Sequence, residues 1–231
     1  MDNSGYYSEH HKFYVAVDCI IFGFDQDGLK LLLIKRNFEP MKGKWSLMGG
    51  FLQENESLDE AAARVLYQLT GLREVYLEQL YTYGEVERDP GERVISVSYY
   101  ALIRTEDYNS DLGKQHGARW FLLDKKPPLI FDHDVMVDKA LRRLRRKTRS
   151  QPIGFELLPE KFTIPMLQRL YEGIHGKKFD KRNFRKKIFQ LNILKKLDEK
   201  EKSGSRKGAW LYKFDNKKYN KLEEAGMHFS I

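Results

Sequence analysis

Cysteine is almost missing: Cys19 is the only one among 231 residues. It can form no disulfide within the chain, which excludes a disulfide-stapled secreted scaffold and makes a reducing cytoplasm the expected setting. Long apolar runs are missing too. None approaches the ~18 residues of a membrane span. The first run, Val15-Ala16-Val17-Asp18-Cys19-Ile20-Ile21-Phe22, is interrupted by an acid, and no signal peptide is expected there. There is no internal repeat and no long low-complexity tract. Acid is scarce in one region only. Residues 150–231 carry 19 Lys and Arg against 10 Asp and Glu, while the residues before them hold 22 against 23. The net charge of +8 therefore belongs to the C-terminal third, as expected for a near-neutral domain joined to one that meets a polyanion. With 41% hydrophobic and 13% aromatic residues the chain has the material for a core, and its length allows one large domain or two smaller ones.

Residues 12–24 and 29–35 are rich in Val, Ile, Leu and Phe and flank Asp25-Gln26-Asp27-Gly28, a hairpin signal. Asp18 inside the first strand is costly unless paired or facing a wet pocket, so it is either a buried ion-pair member or part of a ligand site. Residues 37–44 read as a loop, and residues 75–87, 94–104 and 117–123 as further strands. The polar stretch Glu87-Arg88-Asp89-Pro90-Gly91-Glu92-Arg93 separates two of them. Between the strands, Ser57 followed by Glu60 forms a capping box and Gly71 suits a left-handed helix end, which predicts one internal helix. Residues 134–149 predict another, with Ala140, Leu141 and Leu144 at helical spacing. Gln151-Pro152-Ile153-Gly154 reads as a linker.

Beyond it, Thr163 can cap a helix with an apolar stripe of Ile164, Leu167, Leu170 and Ile174, and Pro165 is tolerated in its first turn. Gly176 stops that helix, and Asp180 caps a second in which Phe184, Ile188 and Leu191 face one way. Lys181, Arg182, Arg185 and Lys186 fall mostly on the other side. Two strand-like runs, residues 193–197 and 209–214, then flank a Gly- and Lys-rich tip. A short helix, a glycine turn, a basic helix and a basic wing predict a winged helix-turn-helix that binds duplex DNA. A charged helical hairpin used for protein contacts shares the composition but lacks this coincidence of parts.

The stretch from Gly50 to Leu72 resembles the Nudix box: Gly50, Glu56, Arg64, Leu66, Gly71 and Leu72 are in register. Val65, Gln68 and Leu69 stand where the box has three glutamates. Those positions are spaced i, i+3, i+4 on one helix face, and in active members their carboxylates hold magnesium. Val65 and Leu69 offer no oxygen, so no metal, no other cofactor and no catalytic residue is expected. Glu56, Asp59 and Glu60 are a conceivable displaced metal site, although acids in a first helical turn are expected from the helix dipole. Glu56 and Arg64 are expected to tie the loop to the helix.

The whole chain resembles the Nudix-related transcriptional regulators of the NrtR type. The resemblance rests on Trp45-Ser46-Leu47-Met48-Gly49-Gly50-Phe51, Leu77-Glu78-Gln79-Leu80-Tyr81-Thr82-Tyr83-Gly84, Arg88-Asp89-Pro90, Arg93-Val94-Ile95-Ser96-Val97 and residues 179–188. Met48 departs from the proline usual there. The resemblance implies an α/β fold, a Nudix-like α/β/α sandwich in residues 1–150 followed by a winged helix-turn-helix domain in residues 151–231. It implies a homodimeric repressor on a palindromic operator, released by a small metabolite. The broken box is similar to that of the sugar-responsive (AraR-like) branch, which makes a sugar such as L-arabinose the expected effector. The rival is a Nudix hydrolase acting on ADP-ribose-like compounds. For DNA, Arg182, Asn183 and Arg185 are expected to read base edges, with Lys181 on the same helix. Lys177, Lys178, Lys186, Lys187, Lys202, Ser205, Arg206 and Lys207 are expected to hold the backbone. For the effector the candidates are Asp18, Lys35, Lys44, Trp45, Glu85, Glu87, Arg88 and Arg93.

Overall fold

The centre of the fold is the longest apolar strand. The computed structural model describes residues 6–202 and 208–225. In it β1 (Tyr14–Asp25) is buried from Val17 to Phe24, because both of its faces are covered. It runs antiparallel to β2 (Gly28–Lys35) through the expected turn, antiparallel to β4 (Met48–Phe51) and parallel to β6 (Val94–Leu102). The remaining strands of this seven-stranded sheet are β3 (Trp45–Ser46), β5 (Tyr76–Tyr83) and β7 (Ala118–Leu122), in the order β3-β2-β1-β6-β5 with β7 beside β2.

Alternation along β1 assigns its side chains to two cores. Val17, Cys19 and Ile21 pack with α1 (Leu58–Thr70) through Ala61, Ala62, Val65, Leu66 and Leu69. Ile20, Phe22 and Phe24 pack on the other face with α3 (His133–Ser150) through Met136, Val137, Ala140 and Leu144. The short α2 (Ser110–Gln115) sits beside α1. Asp18 belongs to the α3 face by the same parity. Both expected caps of α1 form: Glu60 N–H donates to Ser57 Oγ, Ser57 N–H donates to Glu60, and Gly71 adopts φ 72°. Arg64 donates to Glu56 at 2.6 and 2.8 Å and to the Phe51 carbonyl at 3.1 Å, clamping the loop to the helix. Those Arg64 bonds hold the Glu56 carboxyl below its usual range.

In the second unit Thr163 caps α4 (Ile164–His175), which ends at Gly176 with φ 65°. Asp180 caps α5 (Lys181–Gln190) by accepting from Asn183 N–H at 2.9 Å. A three-stranded sheet follows, with β10 (Ala209–Phe214) between β8 (Phe162–Thr163) and β9 (Leu194–Glu201); α6 (Asn216–Glu224) comes last. Strand β9 runs further than its sequence suggests, through the charged residues Asp198 to Glu201, because Trp210 and Ala209 pair with Lys200 and Glu201.

Residues 151–154 do not behave as a free linker. Ile153 is buried, and one apolar core runs from Ile20 and Phe22 through Leu157, Leu167 and Leu170 to Ile188 and Tyr212. Helix α4 seats on β2 so closely that a Cβ added to Gly173 would lie 3.3 Å from Leu29 Cβ. Arg145 donates to the Ile174 carbonyl at 2.6 Å, and Thr148 Oγ1 lies 3.1 Å from His175 Nε2. The two units are thus wedged together along α3. Among the described residues no helix is long and apolar enough to cross a membrane.

Losing a capping side chain costs about 1 kcal/mol. Ser57→Ala should therefore lower the thermal midpoint by ~2–4 °C, as read by circular dichroism.

Candidate functional site

Between β1 and the start of α3, a buried polar cluster floors a cavity of about 210 Å³. Asp18 Oδ2 accepts from Ser96 Oγ at 2.5 Å, and the Arg88 guanidinium lies 3.8 Å from that same oxygen. Arg88 grips Asp132 with two donors at 2.7 and 2.9 Å, while only 3% of its side chain is exposed. His133, the first residue of α3, accepts the Leu47 N–H on Nδ1 at 3.1 Å and turns Nε2 toward Asp18 at 3.7 Å. That acceptor role requires an unprotonated Nδ1, so the neutral ring carries its hydrogen on Nε2. Burial holds the His133 pKa below its ordinary value, against the pull of Asp18 and Asp132. Gly49 pairs with Asp18 across β1 and β4, and a Cβ there would stand 2.3 Å from the carboxylate. Only glycine lets the strands meet at this point.

Above the floor the cavity is lined by cations and aromatic rings. The Arg36 guanidinium sits 3.9 Å from the centre of the Phe38 ring and 5.6 Å from that of Phe131. Its Nε is buried with no hydrogen-bond partner, and burial lowers its pKa. Phe131 holds a φ of 51°, rare for an aromatic residue. Lys35, Phe51, Asp89 and His116 complete the rim. An anion entering here would meet a guanidinium with unused donors, and a planar group would meet exposed aromatic faces at Phe38 and Phe51.

Of the sequence candidates, Asp18, Lys35 and Arg88 line this cavity, whereas Lys44, Trp45, Glu85, Glu87 and Arg93 do not. Trp45 packs edge-on against Phe121. Lys44, Glu85 and Glu87 are exposed, and Arg93 donates to the carbonyls of Gly84 and Glu85. Asp18 proves to be both things its position allowed, an ion-pair member and a cavity residue. Arg36, Phe38, Phe131 and His133 were not anticipated. Arg36 lies in a loop without periodicity, and His133 meets Asp18 only through tertiary packing.

The box positions face inward differently from one another. Val65 and Leu69 are buried in the core against β1, with Val65 Cγ2 only 3.1 Å from where a Cβ on Gly50 would stand. Gln68 is exposed. The nearby carboxylates are engaged: Glu56 with Arg64, Glu60 with Ser57, and Asp59 with Tyr99 Oη at 2.6 Å.

The second candidate surface is α5. Phe184 and Ile188 are buried on the core, leaving Lys181, Arg182, Asn183, Arg185, Lys186 and Lys187 exposed. None of those five cations enters a salt bridge among the described residues, whereas Lys178 pairs with Glu172 at 2.8 Å. Lys177 and Lys202 are exposed as well. Ser205, Arg206 and Lys207 lie outside the described residues. On the flanking strands, Lys196 and Lys200 stand over the Trp210 ring at 3.9 and 4.4 Å.

Family comparison agrees with this two-part reading. The NUDIX domain model matches residues 12–140, and the NrtR DNA-binding winged helix domain model matches residues 154–214. The ADPR responsive transcriptional repressor NtrR of Acinetobacter baylyi is 35% identical over 210 residues, covering 89% of this chain and 84% of that one. This chain belongs to the NrtR-type regulator family. Among solved structures, Shewanella oneidensis NrtR complexed with a 27mer DNA matches it with a TM-score of 0.79 at 31% identity, over 89% of this chain and 95% of that one. The ADP-ribose pyrophosphatase of Methanocaldococcus jannaschii is 37% identical over 129 residues, 55% of this chain and 73% of its own. The expected kinship with the sugar-responsive branch finds no support in these NrtR-type relatives.

Truncating Arg88 strands two carboxylates in a buried site, so Arg88→Ala should cost about 3–5 kcal/mol in urea unfolding. The pH dependence has a definite sign. His133 is neutral in the folded chain and takes up its proton more readily when unfolded, so stability should fall as pH drops below ~6.5. In His133→Gln, whose amide oxygen can still accept from Leu47, urea midpoints between pH 7.5 and 5 should show a shallower slope.

Proposed function

We propose that the protein is a DNA-binding transcriptional repressor whose Nudix-like unit senses ADP-ribose or a close relative of it. The observation that carries the DNA half is the unpaired cationic face of α5, in a chain that matches a DNA-bound family member over nearly its whole length. Helix α5 enters the major groove, Arg182, Asn183 and Arg185 meet base edges, and the surrounding lysines hold phosphates. The working unit is a homodimer, since a palindromic duplex presents two half-sites.

The ligand half rests on Arg36. A diphosphate would be drawn by the positive charge of Arg36 and Lys35 in the cavity wall, a charge that a neutral sugar leaves without a counter-ion. These side chains supply the charge neutralisation for which a hydrolase needs a metal, so the lost glutamates do not count against a diphosphate ligand. The enclosed volume suits a phosphate and a sugar ring near Asp18 and His133. The half-exposed rings of Phe38 and Phe51 would cover a base. In this reading the chain is not a hydrolase, because Val65 and Leu69 are buried core residues that cannot return to metal binding without unpacking α1.

Thermal-shift titration tests both halves of the ligand reading. ADP-ribose should raise the melting midpoint without added magnesium, by the equivalent of about 2.7 kcal/mol at a hundredfold excess over its Kd, and L-arabinose should not. Arg36→Ala should abolish the shift. A shift with L-arabinose alone would restore the sugar reading, and magnesium-dependent release of AMP from ADP-ribose would establish the hydrolase.

A further inference from the structure

The helix that joins the two units carries a cationic face that neither the cavity nor α5 accounts for. Arg142, Arg146 and Arg149 are exposed at i, i+4, i+7 on α3, with Arg145 half-buried beside them. None of these four enters a salt bridge among the described residues. The α3 cations that do, Arg143 and Lys147, reach Glu78 from another side of the helix. The helix dipole favours cations only in the last turn, which explains Arg149 but not Arg142.

This face is continuous with the turn that leads into α5. Arg145 donates to the Ile174 carbonyl, and its terminal nitrogen is 3.2 Å from where a Cβ on Gly176 would stand. Burial, and then the positive charge of Arg149, Lys177 and Arg145, bring the His175 pKa down to about 4. Lys177 then leads through Lys178 to Asp180, the cap of α5. Arg142 to Arg149 spans ~10 Å of helix, a length over which B-DNA presents roughly six phosphate charges.

We infer that the arginine face of α3 is a second phosphate-binding surface for the DNA held by α5, contributed by the Nudix-like unit. The inference rests on the DNA-binding reading above. Continuity with the basic turn selects the duplex as occupant, and guanidinium groups pair well with phosphate oxygens. Because phosphates carry no sequence information, this surface adds affinity and orientation without changing which bases are read.

The test is fluorescence anisotropy of the full chain with a duplex it selects from a random pool, and with an unrelated duplex, between about 50 and 200 mM salt. The triple variant Arg142→Gln/Arg146→Gln/Arg149→Gln should lower the slope of log K against log salt by about two to three. It should weaken both duplexes by the same factor. The comparison variant is Arg182→Ala, on α5. If that variant weakens the selected duplex while the triple variant keeps parental slope and affinity, the α3 surface is refuted and the DNA reading stands. If neither variant weakens binding, the α3 surface and the α5 base contacts both fall; if the parent selects no duplex at all, the DNA reading itself falls. Should the triple variant melt below the parent, Arg142→Gln alone carries the test, with an expected slope change of about one.

Discussion

The bidentate pair between Arg88 and Asp132 is the contact on which the arrangement of the molecule depends. Asp132 precedes α3, and the pair anchors that end of the helix beneath the cavity, beside Asp18 and His133. A buried pair of this kind adds little net stability compared with apolar packing, but it is intolerant of misplacement, because either partner alone is an uncompensated charge. It therefore fixes position more than it contributes energy. The 18 residues of α3 then span ~27 Å to an opposite end held against α4 by Arg145 and Thr148. One rigid element thus has its start in the floor of the cavity and its finish against the winged-helix unit.

The degenerate box acquires a physical meaning in this setting. The glycine turn, the capping box and the Glu56–Arg64 clamp are retained because they hold β4 and α1 in place, and Gly49 lets β4 approach Asp18. Of the three positions where the Nudix box has glutamates, Val65 and Leu69 are core and Gln68 is exposed. Val65 and Leu69 add apolar contact with β1, where carboxylates would need a cation to be stable. The domain has a cavity beside a rigid frame, with Arg36 and Lys35 among its lining.

Much of the fold was legible because local signals and packing agree. The caps Ser57, Thr163 and Asp180, the stops Gly71 and Gly176, and the alternation in β1 and β2 all act over a few residues. The six-residue α2 and the strongly polar α6 escaped notice, since neither shows an apolar stripe long enough to read. The end of β9 was hidden for a different reason: its charged residues are strand only because Trp210 and Ala209 pair with them. The cavity was legible only in part. Asp18 and Arg88 stand out as a buried acid in a strand and an arginine in a polar turn. Arg36, Phe131 and His133 come together from two distant segments, the end of β2 and the start of α3, and no periodicity marks such a meeting. The L-arabinose expectation rested on the likeness of the broken box to that of the sugar-responsive branch, and the NrtR-type relatives lend it no support.

A ligand that weakens DNA binding through α3 must be bound with different affinity in the two states, and the coupling must be reciprocal. The most direct measurement is therefore a pair of titrations on the full chain: affinity for a selected duplex with and without saturating ADP-ribose, and affinity for ADP-ribose with and without that duplex. The account predicts that each ligand weakens the other by the same factor, on the order of 5- to 150-fold. Two affinities that do not respond to each other would contradict it.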